Sequence, residues 1–273
     1  MIISPPMKLV IFGGGNMGAA FARGVLRVGG LTAEQVTIVE HNAERAQELK
    51  STLPCSVLNV APHSLVDYQV IFIAVKPQSF VELAKTLRVD SSQLVVSIMA
   101  GITIAGLTNK LSNATRVVRA MPNTPSQIGA GVTAWVATDQ VTADDRNLVE
   151  GLLSAGGKVL PVEREELLDG VTALSGSGPA YVFYLAEAML DAADKFGFSP
   201  EEAKALIAST ICGAGQLWLE SVESPTELRQ RVTSKGGTTE AALTFLEQHK
   251  AKQIITNAVE HACQRSIELG KAQ

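Results

Sequence analysis

Lys8-Leu-Val-Ile-Phe-Gly-Gly-Gly-Asn-Met-Gly18 decides the fold. A short apolar run ends in glycines, and helical spacing of the apolar residues follows from Asn16 to Val28. Strand, tight turn and helix in that order form the first half of a βαβ unit. Gly13-x-Gly15-x-x-Gly18 then permits a tight turn, close approach of a pyrophosphate and close helix-to-strand packing, with the helix N-terminus facing the phosphates. Alone the pattern is weak. Here Asn16 and Met17 open the helix, and about 20 residues on Glu40 closes the next strand, as the dinucleotide fingerprint requires.

Beyond this unit, Val36 to Glu40, Val70 to Val75, Leu94 to Ile98, Val117 to Ala120 and Val132 to Ala137 read as strands, and Ala43 to Thr52 as a polar-faced helix. The wholly apolar Val70 to Val75 suits a sheet covered on both faces. Strands alternating with helices predict a parallel, doubly wound sheet. After Val159-Leu-Pro161 the strand signals stop, and helices are expected over Pro179 to Phe196, Pro200 to Glu220 and Thr226 to Val232. The expectation is an α/β Rossmann-type dinucleotide-binding domain over 7–161, followed by an all-α dimerisation and substrate-binding domain over 162–273. Ser199-Pro-Glu-Glu202 and Ser224-Pro-Thr-Glu227 have the form of capping boxes with proline at the first helical position. Pro179 to Phe196 is apolar nearly all round, and Gly213-Ala-Gly215 clears room for a second backbone, so a homodimer or higher homo-oligomer packed through these helices is expected.

The 273 residues carry a net charge of −4 and no long basic run, which argues against nucleic acid or an anionic membrane surface as a partner. Cys55, Cys212 and Cys263 are odd in number and far apart, so they read as buried small hydrophobes in a reducing compartment. The four histidines have no chelating spacing with them, and no metal site is expected. No apolar run is long enough to span a bilayer, Met1 to Pro6 is too short for a signal peptide's hydrophobic region, and a cytoplasmic location is expected. Those six residues carry no argument.

Val232-Thr-Ser-Lys-Gly-Gly-Thr-Thr-Glu-Ala-Ala-Leu243 forms a second glycine-rich turn at a helix start, where backbone N–H groups without helical partners face outward. Glu240 reads as a capping residue for that helix. Ala74-Val-Lys-Pro77 ends a buried strand, with Pro77 suited to begin a helix and Lys76 at the carboxyl edge of the sheet, where open α/β folds bind ligands.

Phe12 to Gly18, Ala74 to Pro77, Arg119-Ala-Met-Pro-Asn-Thr-Pro125, Ser175-Gly-Ser-Gly-Pro-Ala-Tyr181 and Val232 to Thr239, taken in this order, resemble the pyrroline-5-carboxylate reductase family. The resemblance runs from Met7 to near the C-terminus. It implies reduction of L-1-pyrroline-5-carboxylate to L-proline, the last step of proline synthesis, with NADP(H) or NAD(H), by two chains interlocked through their helical parts. It also implies that Ser234, Gly236, Gly237, Thr238 and Thr239 hold the substrate carboxylate, with Thr239 near the imine nitrogen, and that Ala100, Gly101 and Met121-Pro122-Asn123 line the nicotinamide pocket. The expected cofactor-binding set is thus Gly13, Gly15, Asn16, Met17, Gly18, Glu40, Ala74, Val75, Lys76, Pro77, Ala100, Gly101 and Asn123. Lys235 stands where the family usually has proline, and is expected to point into solvent. Met99 stands where it usually has alanine, and could narrow the pocket floor.

A carboxylate at Glu40 favours a ribose 2′-hydroxyl and repels a 2′-phosphate by about 4 kcal/mol at roughly 4 Å and an effective dielectric of about 20. His41, Asn42 and Arg45 could meet a 2′-phosphate if Glu40 turns away. No strong acid belongs to the substrate motif. Thr239 can donate a hydrogen bond but cannot act as an acid near neutrality, so orientation is expected to carry the rate. Ser177 is expected to cap the helix that Pro179 begins. The alternatives are a reductase of another cyclic imine or small ketone, and a dinucleotide sensor without turnover. A β-hydroxyacid dehydrogenase would need a lysine within the 179–196 helix, and Lys195 lies at its far end.

Overall fold

The computed structural model describes residues 7–271, so the six leading residues lie outside it. It divides into two compact units: the described residues up to Ser177 together with those from Ala262 onward, and Gly178–His261. In the first, β1 (Leu9–Phe12), β2 (Val36–Val39), β3 (Ser56–Leu58), β4 (Val70–Ile73), β5 (Leu94–Ser97), β6 (Arg116–Met121), β7 (Gly131–Ala137) and β8 (Gly157–Pro161) form one sheet. Its order is β3-β2-β1-β4-β5-β6-β7-β8. Helices α1 (Asn16–Arg27), α2 (Ala43–Thr52), α3 (Pro77–Thr86), α4 (Ile104–Lys110) and α5 (Ala143–Leu153) connect the strands, and α6 (Leu167–Val171) follows the last of them.

The four-residue apolar strands are apolar because both faces are covered. Along β1, Leu9 and Ile11 join one buried cluster with Ala19, Phe21 and Leu49, whereas Val10 and Phe12 join another with Phe80, Met99 and Leu107. Alternate side chains of a strand point to opposite faces, so an unbroken apolar run serves two cores. Phe21 stacks on Phe72 at 4.0 Å and ties α1 to β4.

The parallel expectation fails between β6 and β7, which run antiparallel with Val118 opposite Ala137. The short link 122–130 holds only a 3₁₀ turn, Thr124–Ile128. A parallel return needs a crossover of a dozen residues or so, usually a helix, and this link is too short to supply one. Helix α5 does supply one, and β8 is parallel to β7 again.

Beside this reversal Arg116 donates through Nε to Asp145 Oδ2 at 3.0 Å and pairs with the other oxygen as well. Burial alone would raise the Asp145 carboxyl, but Arg116 and the Thr142 amide and hydroxyl outweigh it and hold the group below the usual carboxylate range. A pKa depressed in the folded state contributes stability that is complete above the unfolded value, about 3.9, and is lost as pH falls through the folded one. Asp145→Asn should therefore cost about 1.5–3 kcal/mol near neutrality. Calorimetric melts should show the gap from the native protein closing only below about pH 4.

The second unit contains α7 (Gly178–Lys195), α8 (Pro200–Glu220), α9 (Pro225–Arg231), α10 (Thr238–Gln248) and the start of α11 (Ala251–Lys271). Both expected capping boxes are present, with Ser199 and Ser224 accepting from Glu202 N and Glu227 N. The returned hydrogen bonds hold the Glu202 and Glu227 carboxyls below their usual range. Among the described residues its buried core is Ala193, Ala203 and Ile207, with Ala186, Met189 and Ile211 partly buried against them. Val182, Phe183, Tyr184 and Leu185 on α7, and Leu217, Trp218 and Leu219 on α8, are all exposed.

Two expectations about this region need correction. Ser177 does not cap α7: α6 runs into a π-helical segment, Thr172–Gly176, and Ser177 continues it with helical angles, φ −83° and ψ −20°. An N-cap needs extended backbone, and a chain already helical on entry has no such position. Cys55 is buried, and burial pushes its thiol up, but Cys212 on α8 is exposed, because the unit offers so little interior. The compact units themselves part after Ser177, with α6 packed on β6 and β7.

Candidate functional site

The chain order reverses at β1, whose neighbours are β2 and β4, and ligands of open α/β sheets bind at the carboxyl end of such a switch point. The glycine turn lies there, and its glycines do different work. Gly13 has φ +104°, and a Cβ on it would stand 2.6 Å from Ala74 O. A Cβ on Gly18 would stand 2.0 Å from Gly13 O, so α1 can lie this close only without a side chain. A Cβ on Gly15 would meet nothing within 4 Å. Gly15 is exposed and is the N-cap of α1, so its bare backbone borders open space in front of unpaired helix amides. That is the room a pyrophosphate requires, and the site fits a dinucleotide.

Glu40 is 7% exposed and turned inward. Its Oε2 accepts from Gly14 N and its Oε1 from Asn42 N, both at 2.9 Å. Arg45 Nε donates to Gly14 O at 3.0 Å. The carboxylate thus clasps the glycine turn to the start of α2. His41 stands beside it, Nδ1 3.4 Å from Oε1, with its side chain 88% exposed.

The other expected cofactor residues gather on the same edge. Ala74 and Val75 follow β4, Lys76 is the N-cap of α3 with Pro77 at its first position, and Ala100-Gly101 follow β5. Asn123 Oδ1 accepts from Val132 N at 3.0 Å, and its Nδ2 donates to Ser175 Oγ at 3.2 Å. Its amide therefore pins β7 and the π segment to the loop after β6. Met99 is 2% exposed within the core beneath α3 and α4, so it does not form the open floor of a pocket.

The substrate motif belongs to the second unit. Gly237 N donates to Ser234 O at 3.0 Å, closing a turn with Lys235 and Gly236 at its centre, and Gly236 has φ +74°. Lys235 is exposed, at the turn position where proline's fixed φ would also fit. Glu240 Oε2 takes the Gly236 amide at 2.7 Å. Gly237, the N-cap of α10, has no side chain to cap with. Two amides of the stretch, those of Gly236 and Gly237, are thus used within the turn itself, whereas the Thr238 and Thr239 amides open α10 and have no intrahelical acceptor.

Arg119, Glu165, Asp169 and Ser266 form a linked cluster to which the residue patterns assign no role. The signal was a single arginine in the apolar run Val117-Val118-Arg119-Ala120, and it is 3% exposed. Among the described residues no group of His, Cys, Asp and Glu could hold a metal ion.

Sheet order, switch point and glycine turn define a Rossmann-type nucleotide-binding protein with a helical second unit. Residues 8–101 match the family model of NADP oxidoreductase, coenzyme F420-dependent, and residues 165–269 match that of pyrroline-5-carboxylate reductase dimerisation. The chain belongs to the pyrroline-5-carboxylate reductase family. It is 38% identical to a pyrroline-5-carboxylate reductase of Pseudomonas aeruginosa, covering 97% of both chains. It is 36% identical to pyrroline-5-carboxylate reductase 2 of Bacillus subtilis, over 96% of this chain and 95% of that one. Among solved structures it resembles the Coxiella burnetii reductase (34% identity, TM-score 0.85, covering 96% and 98%). It also resembles the Plasmodium falciparum enzyme with NADP bound (28% identity, TM-score 0.87, covering 97% and 98%).

Proposed function

We propose that this chain reduces L-1-pyrroline-5-carboxylate to L-proline with NADPH or NADH, as a homodimer or higher homo-oligomer in the cytoplasm. The observation that carries the reading is relatedness over nearly the whole chain to reductases of that name, with the glycine turn at the switch point. When bound, the cofactor supplies the hydride that the imine carbon receives. The chain's own residues bind and orient. Gly13, Gly15 and Gly18 shape the pyrophosphate seat, with Asn16 and Met17 at the helix start and Ala74, Val75, Lys76 and Pro77 beside it. Ala100, Gly101 and Asn123 serve the nicotinamide end. The Ser234–Thr239 turn holds the carboxylate through the Thr238 and Thr239 amides, and the Thr239 hydroxyl donates to the ring nitrogen.

Because Glu40 is committed to backbone amides, the strongest local objection to a 2′-phosphate weakens, which supports use of both cofactors. The homo-oligomer is supported by the exposed apolar side chains of α7 and α8, and by Gly213 and Gly215, where a Cβ would meet nothing within 4 Å of the chain itself.

The test follows NADPH and NADH oxidation with L-1-pyrroline-5-carboxylate and with its six-membered analogue. Turnover is expected with the five-membered imine. Faster turnover of the six-membered ring would move the activity to another cyclic imine, and cofactor binding without turnover of either would indicate a sensor.

A further inference from the structure

Arg119 lies two residues before the end of β6, its side chain 4% exposed. Nη1 donates to Glu165 Oε1 at 2.8 Å, and Nη2 lies 3.8 Å from Asp169 Oδ1. Each carboxylate is also held by a second segment. Glu165 Oε1 accepts from Ile104 N at 2.7 Å, the first amide of α4 and just past the Ala100-Gly101 turn. Asp169 Oδ1 accepts from Ser266 Oγ at 2.6 Å, and Ser266, near the end of α11, is 3% exposed. That end of α11 also lies on the turn, since a Cβ on Gly101 would be 3.2 Å from Leu269 Cβ.

From Asp169 the chain passes through α6 into the π segment. Its Ser175 accepts from Asn123, and a Cβ on its Gly176 would be 2.5 Å from Met121 Cε. Three loops at one end of the sheet edge, Ala100-Gly101, Met121 to Asn123 and the π segment, are therefore wired to a single guanidinium. Stability alone is a poor reason for it. Taking an ion out of water costs several kcal/mol, and replacing a buried ion pair with apolar side chains of similar volume is often neutral or stabilising. Fixing the relative register of several segments is the better-attested use of a buried ion pair.

We propose that Arg119 is a positioning residue for the nicotinamide end of the cofactor site: it touches neither cofactor nor substrate and sets the loops that do. The proposal rests on the reading that this edge holds NAD(P)H. Its test compares the native full-length protein with Arg119→Met and Arg119→Lys by calorimetric titration with NADPH and NADH and with the adenosine halves 2′,5′-ADP and ADP, alongside steady-state kinetics. In Arg119→Met, kcat should fall about a hundredfold, the scale of a reactant misplaced by roughly 1 Å. NADPH should bind about tenfold more weakly, a loss of about 1.4 kcal/mol, while 2′,5′-ADP stays within about twofold. Arg119→Lys keeps the charge and reaches one carboxylate, so it should recover part of the rate. Equal losses for NADPH and 2′,5′-ADP, or a kcat within about twofold of native, would overturn the proposal, because a general loosening does not separate the two halves of the ligand. If the native protein binds none of the four ligands, the cofactor reading falls and this proposal with it. Should Arg119→Met not fold, Ser266→Ala carries the same comparison, with an expected kcat fall of about fivefold for one lost hydrogen bond and the same overturning results.

Discussion

Gly18→Ala is expected to weaken NADPH binding roughly a hundredfold or more, and to lower the melting temperature as well. The new Cβ would stand 2.0 Å from Gly13 O, a backbone atom that no rotamer change can move. Helix α1 must back away from the turn. Overpacking of this kind costs about 1–3 kcal/mol and sometimes more, and 1.4 kcal/mol is tenfold in affinity. Gly15→Ala is the matched control. Its Cβ enters open space at φ −63°, so the fold should lose only about 1 kcal/mol, as an alanine N-cap does. That Cβ nevertheless occupies the place where a pyrophosphate would approach, so NADPH should still bind poorly. Titration and thermal melts together separate the two roles. A Gly15→Ala protein that binds NADPH like the native one would remove the phosphate seat from this turn.

Thr239→Ala should lower kcat by about 10- to 100-fold, the size of one charge-assisted hydrogen bond, while KM for L-1-pyrroline-5-carboxylate changes by less than about threefold. The two quantities part because the Thr239 amide, proposed above to help hold the carboxylate, survives the substitution, whereas the hydroxyl proposed to meet the nitrogen does not. Thr239→Ser keeps the hydroxyl and should retain most of the rate. The turn itself should be unaffected, since Gly237 N to Ser234 O and Gly236 N to Glu240 hold it without Thr239. Steady-state kinetics decide the matter: an unchanged kcat in the alanine variant would take Thr239 out of the chemistry.

Residue patterns carried most of the sheet, though not β3, and most helices, because their causes are local. A run of apolar residues, a glycine turn and a serine followed by a glutamate three places on act within a few residues, and α2 and α8 begin and end where spacing and caps put them. What stayed hidden depends on distance along the chain. The β6–β7 reversal follows from a link too short for a helix, and the apolar alternation of β7 is the same in either direction. Glu40 was legible as a carboxylate in the right place, but its inward turn needs Gly14 and Asn42 to be folded beside it. Arg119 reads as an oddity in a strand until Glu165 and Asp169, 46 and 50 positions away, close around it, with Ser266 bonded in turn to Asp169. The same holds for the second glycine turn, whose number of usable donors depended on Glu240 taking one.

A helical unit whose buried residues, among those described, are Ala193, Ala203 and Ile207 has a further consequence. In the homo-oligomer proposed above, most of its apolar surface leaves water only when chains meet, so mass action enters its folding equilibrium. Abundance then sets how much of the chain is competent, and dilution becomes a denaturant.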